Sequence, residues 1–343
     1  PLTLGEVRTL VELFYLPYQH GPLAQHLLEH FRWLRANRSS VGVPAPAGDG
    51  CGAGRWRGQA RCFGLLCARV CCLHSRFVRG AGRALLYDLH PYLWDIRNLL
   101  LAAGAFVLWL GCQSVPAPTL LGGNAEPWAR RGGLFGELQA LLPVGNCCDL
   151  FYHPPPLFPS SQTYVLRPLQ PLDKVGAVAC RAFRGAGWLQ AAAQRAPAPA
   201  GRLLGSFLSL SPEYTFVLED EEGPCGYAAA ALCAEGFLQQ RDCSWLPALR
   251  HKYPRDLGVG ASGLGQEALL FLHAELPAVP PPVLRRFPSL LQLGTAPRVL
   301  DAGATRSLVI CLLSALRASG SRGVFCLVSA ADRQQLSFYS KLG

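Results

Sequence analysis

The spacing of apolar residues changes once along the chain, near Pro143, and this change most constrains the fold. Before it, apolar residues recur with the period of an amphipathic helix. After it, short strand segments alternate with helical stretches, which predicts a sheet covered by helices. We therefore expect a helical bundle over residues 1–145, a proline-rich linker over 146–163 and a mixed α/β domain over 164–343.

Local signals place the helices of the first half. Thr3 and Glu6 have the spacing of a capping box, in which each side chain bonds the backbone of the other at the start of a helix. Pro17 ends this helix, and Pro22 suits the first turn of the next one. Further helices are predicted at about 56–78, 83–110 and 128–142, with a loop at about 41–54.

The longest apolar run, Leu99–Cys112, has fourteen residues. A span of the bilayer needs about 20 residues. The run therefore predicts a buried core helix, and we expect no membrane partner.

Strands and helices alternate beyond the linker. Strands are predicted at 164–167, 214–219, 226–230, 290–293 and 324–328, with a hairpin turn at 221–223. Helices are predicted at 172–184, 245–253, 265–274, 305–318 and 332–341. This order indicates a layered α/β domain.

The composition argues against several classes of protein. The net charge is +10, but only three residues are lysine and the arginines form no dense basic run, so we expect no nucleic-acid partner. The fourteen cysteines contain no CxxC pair, which favours a reducing compartment over a disulfide scaffold. The chain begins with Pro1 and contains no methionine, from which we expect a piece of a longer product.

Four stretches carry a resemblance to a known family: Phe14–Pro22, Phe31–Asn37, Ser319–Cys326 and Phe338–Gly343. They resemble the C-terminal half of the O-GlcNAcases, glycosidases that remove N-acetylglucosamine from Ser and Thr of nuclear and cytoplasmic proteins. The resemblance implies a helical stalk followed by a pseudo-acetyltransferase domain of the Gcn5-related acetyltransferase fold, whose closing strands are missing here. It also implies a location in the nucleus and cytoplasm.

The family's stalk forms a homodimer and helps to wall the cleft that receives glycosylated protein substrates. Trp33, within Phe31–Arg35, matches a stalk aromatic suited to lining this cleft. Ordinary packing between helices is the alternative role for Trp33, and the sequence does not separate the two.

The family's glycosidase chemistry needs two adjacent aspartates. No Asp-Asp pair occurs in this chain, and the acidic residues 219–222 are predicted to form a solvated turn. We therefore assign no catalytic residue and expect the chain alone to be inactive as a hydrolase.

Active acetyltransferases of the related fold hold the pyrophosphate of acetyl-CoA at a helix N-terminus, on a Gln/Arg-x-x-Gly-x-Gly/Ala turn. The corresponding turn begins at Arg298 and has Asp301 in place of the first glycine. A carboxylate then stands where an anion should bind, so we expect no cofactor.

Tyr339 matches the tyrosine that protonates the leaving thiolate, although packing alone also accounts for it. An acetyl-CoA-dependent N-acetyltransferase and a non-catalytic interaction paralogue remain alternatives.

One motif has the spacing of a metal site. His26, Glu29 and His30 match HxxEH, in which two histidines bind zinc and the glutamate acts as base. No third ligand is evident downstream, and the pairs Cys71-Cys72 and Cys147-Cys148 do not complete a tetrahedral site. We expect no metal.

Overall fold

The computed structural model describes residues 2–14, 20–37, 41, 51–112, 142, 159–170, 200–252, 254, 273–275, 278–328 and 333–340. The chain folds into two compact units. Unit 1 contains residues 1–168, 218–222 and 299–320, and unit 2 contains 169–217, 223–298 and 321–343. The predicted helices at 128–142 and 172–184, and most of the linker, lie outside the described residues. The domain boundaries stay a prediction.

Four helices begin unit 1: α1 (Leu4–Phe14), α2 (Pro22–Ala36), α3 (Cys51–Gly80) and α4 (Arg83–Leu110). The capping box at the start of α1 is confirmed. The Glu6 N–H donates to Thr3 Oγ1 at 3.3 Å, and the Thr3 N–H donates to Glu6 Oε2 at 3.0 Å.

The predicted start of the third helix was wrong, because α3 begins at Cys51 and not near Trp56. Gly52 and Gly54 each lower helix propensity by about 1 kcal/mol relative to alanine, which made this segment resemble a loop. A long helix that is anchored by a buried face, including Trp56 and Phe63, extends by one turn in spite of these glycines.

Helix α4 is long and apolar enough, by length and composition alone, to cross a membrane, yet 89% of its most apolar window is buried inside the molecule. Leu99, Leu100 and Phe106 are fully buried. The prediction of a buried core helix is confirmed. Pro91 lies inside α4 without ending it.

Unit 1 also contains helix α9 (Ala302–Ala318), which packs along α4. Ser307 Oγ of α9 donates to the Asn98 carbonyl of α4 at 2.8 Å. Gly303 allows close approach, because a Cβ at this position would lie 2.7 Å from Trp94 Cζ2. The apolar residues of α9 are therefore buried on nearly every side of the helix.

The strands are β1 (Val165–Pro168), β2 (Thr215–Asp220), β3 (Gly223–Ala231), β4 (Ser289–Thr295) and β5 (Val324–Cys326), and they form one sheet in the order β1-β2-β3-β4-β5. Strands β3 and β4 are antiparallel, with Gly226 opposite Thr295. Strands β4 and β5 are parallel, with Ser289 opposite Val324. Gly223 ends the predicted hairpin turn with φ of +111°, a conformation that favours glycine.

The helices of unit 2 are α5 (Ala200–Leu210), α6 (Ala234–Gln240), α7 (Leu246–Lys252), α8 (Pro281–Arg286) and α10 (Arg333–Ser340). Its core forms around Phe207 and Phe237, whose rings stack on each other with centroids 4.5 Å apart. Tyr227 and Leu290 of the sheet belong to the same buried cluster. Helices α5, α6 and α8 were not predicted; α6 and α8, with seven and six residues, are too short for a clear periodicity. The predicted fold class, helices followed by a mixed sheet with covering helices, is confirmed.

Candidate functional site

The start of helix α9 is the position at which the sequence pattern predicts a lost anion site. Asp301 is its N-cap residue, with φ −87° and ψ 103°, and its Oδ1 accepts the Gly303 N–H at 2.9 Å. Aspartate is a favoured N-cap because it satisfies an amide that has no partner within the helix. Its negative charge also interacts favourably with the positive end of the helix dipole.

Two side chains of α4 converge on the same carboxylate. Arg97 Nη2 donates to Asp301 Oδ2 at 2.6 Å, and Trp94 Nε1 donates to Asp301 Oδ1 at 3.2 Å. The side chains of the ion pair are 2% and 1% exposed. Asn98 Oδ1 accepts from Arg97 Nε and Nη2 at 3.1 and 2.6 Å, which fixes the plane of the guanidinium.

The anion bound at the first turn of α9 is thus the carboxylate of Asp301, a residue of the chain itself. A backbone amide, an indole N–H and a guanidinium are the groups that would bind a phosphate, and all three are directed at Asp301. Arg298 is the first residue of the turn that matches the pyrophosphate-binding pattern. Its Nη2 donates to the Pro224 carbonyl at 3.0 Å. Each of these three donor atoms bonds to the Asp301 carboxylate, and the arrangement stabilises the packing of α9 on α4.

Two histidines lie in the same buried region. His74 of α3 and His90 of α4 are 1% and 3% exposed, and their ring centroids are 5.5 Å apart. Burial, followed by the positive charge of Arg97, holds the pKa of His74 well below its ordinary value. The same causes lower the pKa of His90 to about 4, against a smaller opposing effect of Asp301. Both rings are therefore neutral near pH 7 and inaccessible to a substrate.

Trp33, the predicted cleft residue, lies half-buried on α2. Its ring packs at 6.3 Å from the ring of Trp56, and the Arg55 guanidinium lies over it at 5.4 Å. Trp33 takes part in packing between α2 and α3 and retains an exposed portion, so its role in a cleft stays a prediction.

Tyr339, the predicted remnant of an acetyl-CoA site, lies half-buried on α10. It belongs to unit 2, whereas Trp33 and Asp301 belong to unit 1. Its chemical role stays a prediction.

The HxxEH pattern does not gather a metal site in the described part of the chain. His26 and Glu29 are exposed. His30 Nδ1 lies 2.7 Å from Gln59 Oε1, and this hydrogen bond joins α2 to α3. No group of three His, Cys, Asp or Glu side chains that could hold a metal ion occurs among the described residues.

The acidic residues at the tip of the β2–β3 hairpin have local partners. Glu219 Oε1 accepts from Arg167 Nη2 at 2.7 Å, and Glu221 Oε1 accepts from Arg79 Nη2 at 3.2 Å. Asp220 Oδ1 accepts the Glu222 N–H at 2.9 Å, which fixes the turn. These contacts describe a structural turn with exposed carboxylates.

The fold defines a class: an α/β protein with an N-terminal helical region, in which a buried aspartate caps helix α9. The comparisons identify its relatives. Over 345 aligned residues, covering 100% of this chain, it is 41% identical to protein O-GlcNAcase of Rattus norvegicus and, equally, to that of Mus musculus. The chain is a relative of protein O-GlcNAcase along all of its length, which confirms the resemblance found in the sequence.

The match covers 38% of the length of these curated relatives. No protein-family model matches the chain. Among solved structures, the crystal structure of SsHAT aligns with a TM-score of 0.38 and 22% identity, covering 52% of this chain and 90% of that one.

Proposed function

We propose that this chain is a non-catalytic part of an O-GlcNAc hydrolase. Support comes from the 41% identity to protein O-GlcNAcase and from the absence of an Asp-Asp pair in the sequence. On this proposal the hydrolase removes N-acetylglucosamine from Ser and Thr of nuclear and cytoplasmic proteins, and it works in those two compartments. The chain then contributes to substrate binding and assembly and carries out no bond cleavage.

The α/β domain acts as a binding or scaffolding module in this proposal. The observation that carries it is the buried Arg97–Asp301 ion pair at the start of α9. Binding of acetyl-CoA there would require the Asp301 carboxylate to leave its three donors and would bring a pyrophosphate against it. Acetyl-CoA is therefore not expected to be a cofactor.

The helical region forms a homodimer and one wall of the substrate cleft in this proposal. Tyr87 of α4 is 85% exposed and is available for such an interface. Trp33 adds an aromatic group with an exposed portion, the type of residue that dominates peptide-binding surfaces.

Trp33→Ala tests the cleft role. In the hydrolase that contains this chain, the substitution is expected to lower kcat/KM for a glycosylated peptide about tenfold, because a buried aromatic contact contributes on the order of 1 to 2 kcal/mol. Turnover of a small aryl N-acetylglucosaminide, which does not reach the helical wall, should stay unchanged. Kinetics on the two substrates provide the measurement.

Phe63→Leu is the matched control, because Phe63 is fully buried in α3 and a loss caused by disturbed packing would appear there too. An equal loss on both substrates for Trp33→Ala would assign Trp33 to helix packing and remove it from the cleft.

A further inference from the structure

The exposed side of helix α3 carries positive charge that no acidic residue of the helix itself compensates. The 30 residues of α3 contain no Asp or Glu and six arginines, namely Arg55, Arg57, Arg61, Arg69, Arg76 and Arg79. A helix face that is merely solvated usually mixes both signs, because opposite charges three or four residues apart stabilise the helix. Charge of one sign along a helix is typical of a binding surface.

The partners of these arginines divide them into two groups. Arg76 pairs with Glu6 of α1, and Arg79 Nη2 lies 3.2 Å from Glu221 Oε1. Arg57, Arg61 and Arg69 are exposed and have no ion-pair partner among the described residues. Among the described residues, no carboxylate therefore competes with an external anion for these three arginines.

Apolar side chains accompany the free arginines. Leu65 is 72% exposed and lies four residues from both Arg61 and Arg69, so the three share one side of the helix. Towards the start of α3, Arg55 stacks over Trp33 at 5.4 Å. From Arg55 to Arg69 the helix extends about 20 Å. We call the exposed side chains of Arg57, Arg61, Leu65 and Arg69 the basic face.

We propose that the basic face binds an acidic segment of a partner protein. Guanidinium groups bind carboxylates through paired hydrogen bonds, and a row of them along one helix matches an extended acidic peptide. Leu65 provides the apolar contact that a polar peptide interface needs at its centre. The proposal concerns binding by this chain alone and does not depend on a hydrolase function.

Two other polyanions fit the basic face less well. Proteins that bind single-stranded nucleic acid interleave aromatic side chains on which bases stack, and none lies between Arg57 and Arg69 on the exposed side. A helix that binds an anionic membrane inserts its apolar side, whereas the apolar side of α3, including Phe63 and Phe77, forms the core.

Fluorescence anisotropy on the full 343-residue chain tests the proposal. The probe is a fluorescein-labelled peptide of about ten residues, long enough to cover 20 Å when extended, with alternating Glu and Ser and a central Leu. Its counterpart has Gln in place of every Glu. The acidic peptide is expected to bind at least about tenfold more tightly, with an affinity that falls as salt is raised from about 0.05 to 0.3 M.

Arg61→Glu with Arg69→Glu is expected to remove the preference for the acidic peptide. The matched control is Arg285→Glu with Arg317→Glu, which makes the same charge change at two exposed arginines outside α3. Equal loss in both double variants, equal binding of the Gln peptide, or tighter binding of a single-stranded RNA or of anionic phospholipid vesicles would each overturn the proposal. Retained binding in the control, with loss in the α3 variant, supports it.

Discussion

Arg97→Ala is expected to lower the free energy of unfolding by about 3 to 5 kcal/mol, because it leaves the buried Asp301 carboxylate without its counter-charge. Both side chains of this ion pair are almost completely removed from solvent, at 2% and 1% exposure. In a protein of this size the loss corresponds to a fall in Tm of about 10 °C. Urea and thermal unfolding monitored by circular dichroism measure the effect.

Arg8→Ala is the control for this experiment. Arg8 also makes an ion pair, with Glu12 at 2.7 Å, but its side chain is 79% exposed, so no measurable change in the unfolding midpoint is expected. Arg97→Leu combined with Asp301→Asn should lose less stability than Arg97→Ala alone, because no uncompensated charge remains buried. A loss for Arg97→Ala no greater than that for Arg8→Ala would contradict the described packing of α9 on α4.

Acidification is expected to destabilise the fold through His74 and His90. The folded state keeps both histidines neutral and the pKa of each is lowered, so their stabilising contribution is complete above the unfolded pKa of 6.5. It is lost as the pH falls from 6.5 towards the folded pKa of His90, about 4. His90 is expected to remove about 2 kcal/mol between about pH 7.5 and 5, and His74 acts in the same direction.

Replacement of both side chains isolates this contribution. His74→Gln with His90→Gln should flatten the dependence of the unfolding free energy on pH in this interval, whatever its effect on stability at pH 7. His251→Gln, at an exposed histidine, serves as the control and should keep the slope of the unchanged protein. A slope that is the same in all three proteins would show that neither buried histidine takes up protons on unfolding.

Features that depend on neighbours in the chain were predictable from the sequence. Thr3 and Glu6 define the start of α1 because both partners of the capping box lie within one turn. The hairpin between β2 and β3 follows from acidic turn residues and Gly223 between two apolar segments. The departure at Asp301 from the phosphate-binding pattern also lies in the sequence itself.

Features that depend on distant partners were not predicted. Arg97 lies 204 positions from Asp301, and no local pattern joins them. One signal was available: an arginine beside the apolar run Leu99–Cys112 of a predicted core helix requires a buried counter-charge, and Asp301 is an unexplained carboxylate. The basic face was not predicted although its residues lie within the helix predicted at about 56–78, because the exposure of Leu65 is known only once α3 is packed against its neighbours.

Calorimetric titration of acetyl-CoA into the full chain tests directly the proposal that the start of α9, where Asp301 holds three hydrogen-bond donors, binds no acetyl-CoA. We predict no saturable heat of binding at acetyl-CoA concentrations up to about 1 mM, where a working cofactor site would be filled. Saturable binding of acetyl-CoA to the unsubstituted chain, reversed by free CoA, would contradict this prediction. It would favour an acetyltransferase instead.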